Sequence, residues 1–202
     1  MPPCDFNAED MVLLQALLGA LPEKGLSWQT VLDVSPSLLV AISAIPSAEA
    51  GLFDFIKRGC VHTITQQAQV IAAPQKTRDR VTEGGMAFLN LFAAAPAAAS
   101  VLMAAHPVGF QGILWAVADQ IWHHAGDTST DHNYYTKRAL LSQILLHAVL
   151  LMTGAGAYHA AEMRAFLQRD IARVFAMMRP FSAIKTFFSS GMGAAFPPLK
   201  KA

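Results

Sequence analysis

Charge is what this chain has least of. Only 14% of its 202 residues are Asp, Glu, Lys or Arg, and 53% are hydrophobic. A typical soluble domain carries about 25% charge. The balance excludes disorder for most of the chain. It also leaves apolar surface that a ligand, a subunit or a membrane would cover. Cysteine is scarce as well. Cys4 and Cys60 are too few for a disulfide framework, so a reducing, cytoplasmic setting is expected. No long apolar run is present. The best stretch, residues 139–152, is interrupted by Ser142, Gln143 and His147, so no membrane span is expected. The first residues lack the basic region of a signal peptide and the Arg-rich character of a transit peptide.

Basic residues are missing where a DNA reader would need them. Short helices expected over residues 8–20, near 28–32 and over 37–45 suggest a helix-turn-helix subdomain. Yet residues 25–56 contain no Lys or Arg. Phosphate contacts dominate DNA affinity, so nucleic acid is not an expected partner. A ligand-responsive DNA-binding regulator remains the alternative that this helical order suggests, and a helical scaffold dimer without lipid is another.

Catalytic motifs are missing too. There is no Gly-rich phosphate loop, nucleophile elbow or Cys/His pairing. His123, His124, Asp127, Asp131 and His132 are close in sequence, but a helix break separates them. Asp127 and Asp131 suit the positive end of the next helix. His159 and Glu162 form a single His-x-x-Glu pair, whereas a helical di-iron site draws ligands from four helices. A non-enzyme without metal or resident cofactor is expected.

What the chain does contain is helical periodicity, with no convincing strand. A fourth helix is expected over 48–70, and a fifth over 75–92 that starts charged and contains Gly84-Gly85. That pair costs about 2 kcal/mol of helix propensity, which a close helix crossing or room for a ligand would explain. An alanine-rich helix spans 93–105, with Met86 and Met103 nearby, and another spans 108–125. The helix at 130–153 is apolar nearly all round and is expected to be central. Tyr134, Arg138, Leu141, Leu145, Ala148 and Met152 form one stripe along it, and its first turns are less apolar than the rest. A last helix covers 159–178, followed after Pro180 by a short amphipathic segment with Phe181, Ile184, Phe187 and Phe188. Charge is segregated. Residues 1–60 hold seven acids and three bases, while residues 137–202 hold nine bases and two acids. A basic, apolar C-terminal end can meet anionic lipid, an acidic partner or nucleic acid, or simply keep an apolar chain in solution. The expected organisation is residues 1–70, a helix-turn-helix-like region and its connecting helix; 71–179, a helical ligand and dimerisation domain; and 180–202, the amphipathic segment and tail.

The stretch from Gly126 to Arg138 stands out. Gly126 suits a helix C-terminus. Asp127 or Thr128 suits the next N-cap, with Asp131 three residues after Thr128 as in a capping box. Tyr134, Tyr135, Lys137 and Arg138 exceed what a hairpin linker requires, and on exposed first turns they would form an aromatic, basic patch.

This stretch resembles the lipid-binding accessory protein family of ubiquinone biosynthesis, the COQ nine family. That family's pattern is Trp-x-x-x-Asp-x-x-Trp, a short spacer, then Gly-Asp-x-Ser-x-Asp-x-Asn-Trp-Tyr-Thr-(Lys/Arg)-Arg. Trp115, Asp119 and Trp122 match the first part. Gly126, Asp127, Ser129, Asp131, Asn133, Tyr135, Thr136, Lys137 and Arg138 match the second. Weaker matches lie at Lys76, Arg78, Arg80 and Val81 and at Ala165, Phe166, Leu167, Arg169 and Ile171, so the resemblance covers about residues 75–179. Tyr134 stands where the family has Trp, Gly84-Gly85 interrupts a family helix, and the C-terminal amphipathic segment is short. The resemblance implies an all-α, TetR-like bundle of about nine to ten helices with a degenerate N-terminal helix-turn-helix. It implies a non-catalytic homodimer that binds an isoprenoid quinone precursor or phospholipid and assists a ubiquinone-pathway hydroxylase. On this chain, Asp131, Tyr134, Tyr135 and Arg138 become the partner-binding patch. Met86, Met103, Trp115, Ile121, Trp122, Leu141 and Leu145 become lipid-cavity candidates. Phe181, Ile184, Lys185, Phe187 and Phe188 become the contact with a lipid or membrane surface, at the inner face of a bacterial membrane.

Overall fold

The computed structural model describes residues 6–36, 48–70, 76–129, 132–154 and 158–191. Among them lie eight helices and no strand. They are α1 (Ala8–Lys24), α2 (Trp28–Val34), α3 (Ala48–Val70), α4 (Thr77–Leu91), α5 (Pro96–Ala105), α6 (Pro107–His124), α7 (His132–Gly154) and α8 (Ala160–Gly191). The all-α expectation holds with eight described helices rather than nine to ten. The helix expected over 37–45 lies outside the described residues.

Local sequence explains most helix ends. A capping box starts α1: Asp10 N–H donates to Asn7 Oδ1 at 2.9 Å, and Asn7 N–H donates to Asp10 Oδ2 at 3.0 Å. Ser27 caps α2 through Thr30 N–H. Pro96 and Pro107 occupy first-turn positions of α5 and α6, where a missing N–H costs nothing. Two prolines lie inside helices. Pro22 sits in the last turn of α1, which runs past the expected residue 20 to Lys24. A proline there forfeits one intrahelical bond, and Gly25, at φ 68°, ends the helix by donating its N–H to Leu21 O. Pro180 does not separate the last helix from a short segment, because α8 runs through it to Gly191. A helix of 32 residues keeps its remaining ladder despite the bond lost at Pro180. The side chains of 178–191 are outside the described set. Phe181, Ile184, Lys185, Phe187 and Phe188 are therefore placed only as positions along α8.

The helix at the centre is α4, not α7. Val81, Thr82 and every residue from Gly84 to Leu89 are buried. The glycine pair makes this possible. A Cβ on Gly84 would lie 2.8 Å from Ile121 Cγ1 of α6, and one on Gly85 would lie 3.0 Å from Leu167 Cδ1 of α8. Two neighbours thus close on adjacent residues of α4, so the close crossing explains Gly84-Gly85. Along the α7 stripe Leu141, Leu145, Ala148 and Met152 are buried, Arg138 is buried with them, and Tyr134 is half-buried. The other side of α7 is not covered, however, and Leu150 and Leu151 are 43% and 47% exposed. Apolarity all round had suggested burial all round; in this chain it leaves an apolar outer edge.

The N-terminal helices join the same core. Phe6 and Phe55 rings lie 5.2 Å apart, and Gly59 admits Leu14 against α3. Phe88 and Phe92 meet edge to face at 5.5 Å, a contact worth about 0.5–1.5 kcal/mol beyond its burial. Among the described residues no single helix is long and apolar enough to cross a membrane.

Candidate functional site

The turn between α6 and α7 positions the site. Gly126, at φ 86°, follows the end of α6 in a Schellman arrangement. Its N–H donates to His123 O, and Asp127 N–H donates to Trp122 O, both at 3.0 Å. Gly126 thus plays the expected helix-ending part. Asp127 and Thr128 do not cap the next helix, because α7 starts at His132. The Asp127 carboxylate is instead turned onto α7 itself.

Two carboxylates on the α6 side hold two cations on α7. Asp127 Oδ1 accepts from Lys137 Nζ at 2.5 Å and from Ser129 Oγ at 2.5 Å, and its Oδ2 accepts from Arg138 Nη1 at 3.1 Å. Asp119 Oδ1 accepts from Arg138 Nε at 2.5 Å and from the Tyr134 hydroxyl at 3.0 Å. Arg138 Nη1 also donates to Tyr134 O at 3.1 Å, and its guanidinium carbon lies 3.4 Å from the Tyr134 ring centroid. Trp122 adds a hydrogen bond from Nε1 to Lys137 O at 3.1 Å, with Lys137 Nζ 5.3 Å from its ring. The hairpin is therefore closed by a network, with each buried charge paired.

Burial separates the residues by role. Arg138 is 3% exposed, whereas Tyr135 is 64% exposed. The sequence placed Arg138 on a basic docking surface; the structure places it under Tyr134, neutralised by Asp119 and Asp127. What faces solvent is the tyrosine pair, packed edge to face at 5.0 Å. Asp131 lies outside the described residues.

The electrostatics follow from this geometry. Burial pushes the Asp127 carboxyl up, but hydrogen bonds from Lys137, Ser129 and Arg138 outweigh it and leave the pKa lowered to about 2. Burial opposes the charge on Arg138, and Asp119 and Asp127 more than restore it, holding its pKa above the usual value. The hydrogen bond to Asp119 raises the Tyr134 phenol. Burial lowers His124, helped by His123. Burial also pushes the Cys60 thiol up to about 12, so it is neither nucleophile nor ligand at neutral pH. Among the described residues no three His, Cys, Asp or Glu side chains converge on a metal position. The network can position and recognise; it holds no nucleophile–base pair.

The cavity candidates fall in two places. Ile121 borders a cleft of about 150 Å³ between α3, α4 and α6. Trp122 and Leu141 line a crevice of about 10 Å³ between α4, α6, α7 and α8, closed by Phe175 at 5.6 Å from the Trp122 ring. Met86 and Leu145 are core residues, while Met103 and Trp115 are half-buried.

Asp119 was legible only as a motif position, and its task was not. The available signal was Arg138 on an apolar helix stripe: a cation there requires a buried partner.

Fold and site together define an all-helical protein whose distinguishing feature is an aromatic corner locked by carboxylates. The COQ9 family profile matches residues 111–178, which span this corner. The human ubiquinone biosynthesis protein COQ9, mitochondrial, is 28% identical over 174 residues, 73% of this chain and 52% of the human protein. The Bos taurus protein of the same name is 25% identical over 206 residues, 90% of this chain and 63% of its own length. The Xenopus tropicalis protein is 34% identical over 90 residues, 41% of this chain and 27% of its own. Over residues 111–178 this chain is thus similar to the COQ9 family. It spans between about half and just under two-thirds of the human and bovine relatives' length.

Proposed function

We propose that this protein is a non-catalytic accessory factor of ubiquinone biosynthesis. It binds an isoprenoid lipid intermediate as a homodimer and presents Tyr134 and Tyr135 to a membrane-associated ring hydroxylase. The observation that carries the reading is the tyrosine pair on a locked hairpin, inside the segment that the family profile matches. An exposed tyrosine on a rigid support suits an interface anchor, since little conformational freedom is lost on docking. Lipid enters between α8 and the Trp122–Leu141 wall, and Phe175 must swing off Trp122 to admit a tail. The protein works at the cytoplasmic face of a bacterial membrane, with the end of α8 on the lipid surface.

The test has two arms. Organic extraction of the purified chain followed by lipid mass spectrometry should find an isoprenoid quinone precursor or an exchangeable phospholipid. Capture of the hydroxylase by the wild-type chain should be lost in Tyr135→Ala, with the fold unchanged by circular dichroism. No co-purifying or exchangeable lipid would end the lipid reading, and capture unaffected by Tyr135→Ala would end the docking reading.

A further inference from the structure

The cleft at Ile121 has chemistry of its own. It lies where the last turns of α3 and α6 meet the first half of α4 and holds about 150 Å³. Ile64, Ala68, Gly84 and Ile121 form its apolar part, and Gln67, Arg80 and His124 form its polar part. Ile64 and Ile121 are each 2% exposed, so the apolar part is the floor and the half-buried polar side chains are the rim.

Volume, shape and charge each restrict the occupant. The cleft's volume of about 150 Å³ matches that of a cavity that holds one benzene ring. Gly84 lets Ile121 close on α4 at the floor, since a Cβ there would stand 2.8 Å from Ile121 Cγ1. On the rim, Arg80 is a cation without a carboxylate among the described residues. The acids beside it on α4 are engaged elsewhere, Asp79 with Arg78 and Glu83 with Arg164. His124 is held by Gln120 Nε2 at 2.8 Å and Thr65 Oγ1 at 3.4 Å. Burial lowers its pKa, so it adds a polar ring rather than a second charge. The rim thus offers one positive charge above a floor sized for one ring.

We propose that this cleft binds a single aromatic ring bearing one acid group, with the ring on Ile64, Gly84 and Ile121 and the anion at Arg80 and Gln67. Such a ring belongs to a free benzoate-like acid or to the head of a lipid whose tail runs out of the opening. The inference rests on the cleft alone and not on the isoprenoid-lipid reading.

Titration of the full chain with benzoate, followed by backbone amide shifts, tests it. Saturable shifts are expected at residues 64–68, 80–84 and 120–124, with Kd on the order of a millimolar or below. Neutral benzyl alcohol, and benzoate on Arg80→Gln, should each bind about tenfold more weakly or worse. Ala68→Leu, which fills the cleft from half-buried α3, should abolish saturation. Thermal melts check both variants, and Arg80→Gln, at a half-exposed site, serves alone if Ala68→Leu does not fold. Absence of saturable shifts in the wild type overturns the proposal, as does equal benzoate affinity in wild type and Arg80→Gln. Tighter binding of 4-hexylbenzoate than of benzoate assigns the ring to a tailed lipid, and weaker binding assigns it to a free acid.

Discussion

Arg138 and Tyr134 share one carboxylate oxygen: the Arg138 Nε and the Tyr134 hydroxyl both donate to Asp119 Oδ1, at 2.5 and 3.0 Å. The guanidinium also stacks under the Tyr134 ring at 3.4 Å. Arg138 is therefore a positioning residue for the aromatic corner. Tyr135 is the side chain of the pair left exposed, at 64%.

Replacing Arg138 should destabilise the fold. Arg138→Met leaves the Asp127 carboxylate, 4% exposed at its side chain, with Lys137 and Ser129 only. Breaking a buried pair usually costs about 3–5 kcal/mol, and the surviving partners reduce this to about 2–3 kcal/mol. Calorimetry should read a Tm fall of roughly 4–12 °C. Arg138→Lys should not restore stability, because an ammonium cannot serve Asp119 and Asp127 in one fork.

Acid stability should depend on Asp127. Its folded pKa of about 2 lies below the usual aspartate value of 3.8, so its contribution is fully present above the unfolded value. It is lost as pH falls from about 4 towards 2, and integrates to about 2–3 kcal/mol. Denaturant melts of wild type should weaken over that window. Asp127→Asn should be weaker at neutral pH and flatter across the same window. An unchanged pH dependence would show that the lowered pKa does not stabilise the fold.

Tyr134 should ionise late in a spectrophotometric titration. Tyr134 ionises above the usual phenol range because its hydroxyl donates to Asp119. Asp119→Asn removes that carboxylate and should lower the Tyr134 pKa. Tyr135→Ala, at a residue 64% exposed, should change stability by no more than about 0.5 kcal/mol. An unchanged Tyr134 transition in Asp119→Asn, followed in a Tyr158→Phe background because Tyr158 is raised as well, would break the link between Tyr134 and Asp119.

The adjacent glycines should respond differently to alanine. At Gly84 the new Cβ meets Cγ1 and Cγ2 of β-branched Ile121, at 2.8 and 3.1 Å. Neither atom can move without moving the side-chain root, so Gly84→Ala should cost about 1–2 kcal/mol net. At Gly85 the nearest atom is the mobile end of Leu167, Cδ1 at 3.0 Å. The helix-propensity gain of about 1 kcal/mol should then leave Gly85→Ala near neutral. Equal losses at both sites would refute the crossing asymmetry.

Periodicity, caps and the family motif made the class, most helices and the tyrosine pair legible in one dimension. Gly126 is an example: only a glycine suits a φ of 86° after a helix, and its place before Asp127 marks the hairpin without any tertiary information. The apolar stripe from Leu141 to Met152 was readable for the same reason, since helical spacing puts those residues on one side. Some tasks could not be read this way. Whether Gly84-Gly85 serves a crossing or a pocket depends on where Ile121 and Leu167 arrive, and both come from distant helices. Tertiary packing also decided that α4 rather than the more apolar α7 lies at the centre, because closeness of approach, not hydrophobicity alone, governs burial. It decided as well that Arg138 is hidden. A cation's partner is set by which carboxylate reaches it in space, and Asp119 lies 19 positions away along the chain. The residues, order and helical phase were thus determined by the sequence itself, whereas exposure and pairing belong to the fold.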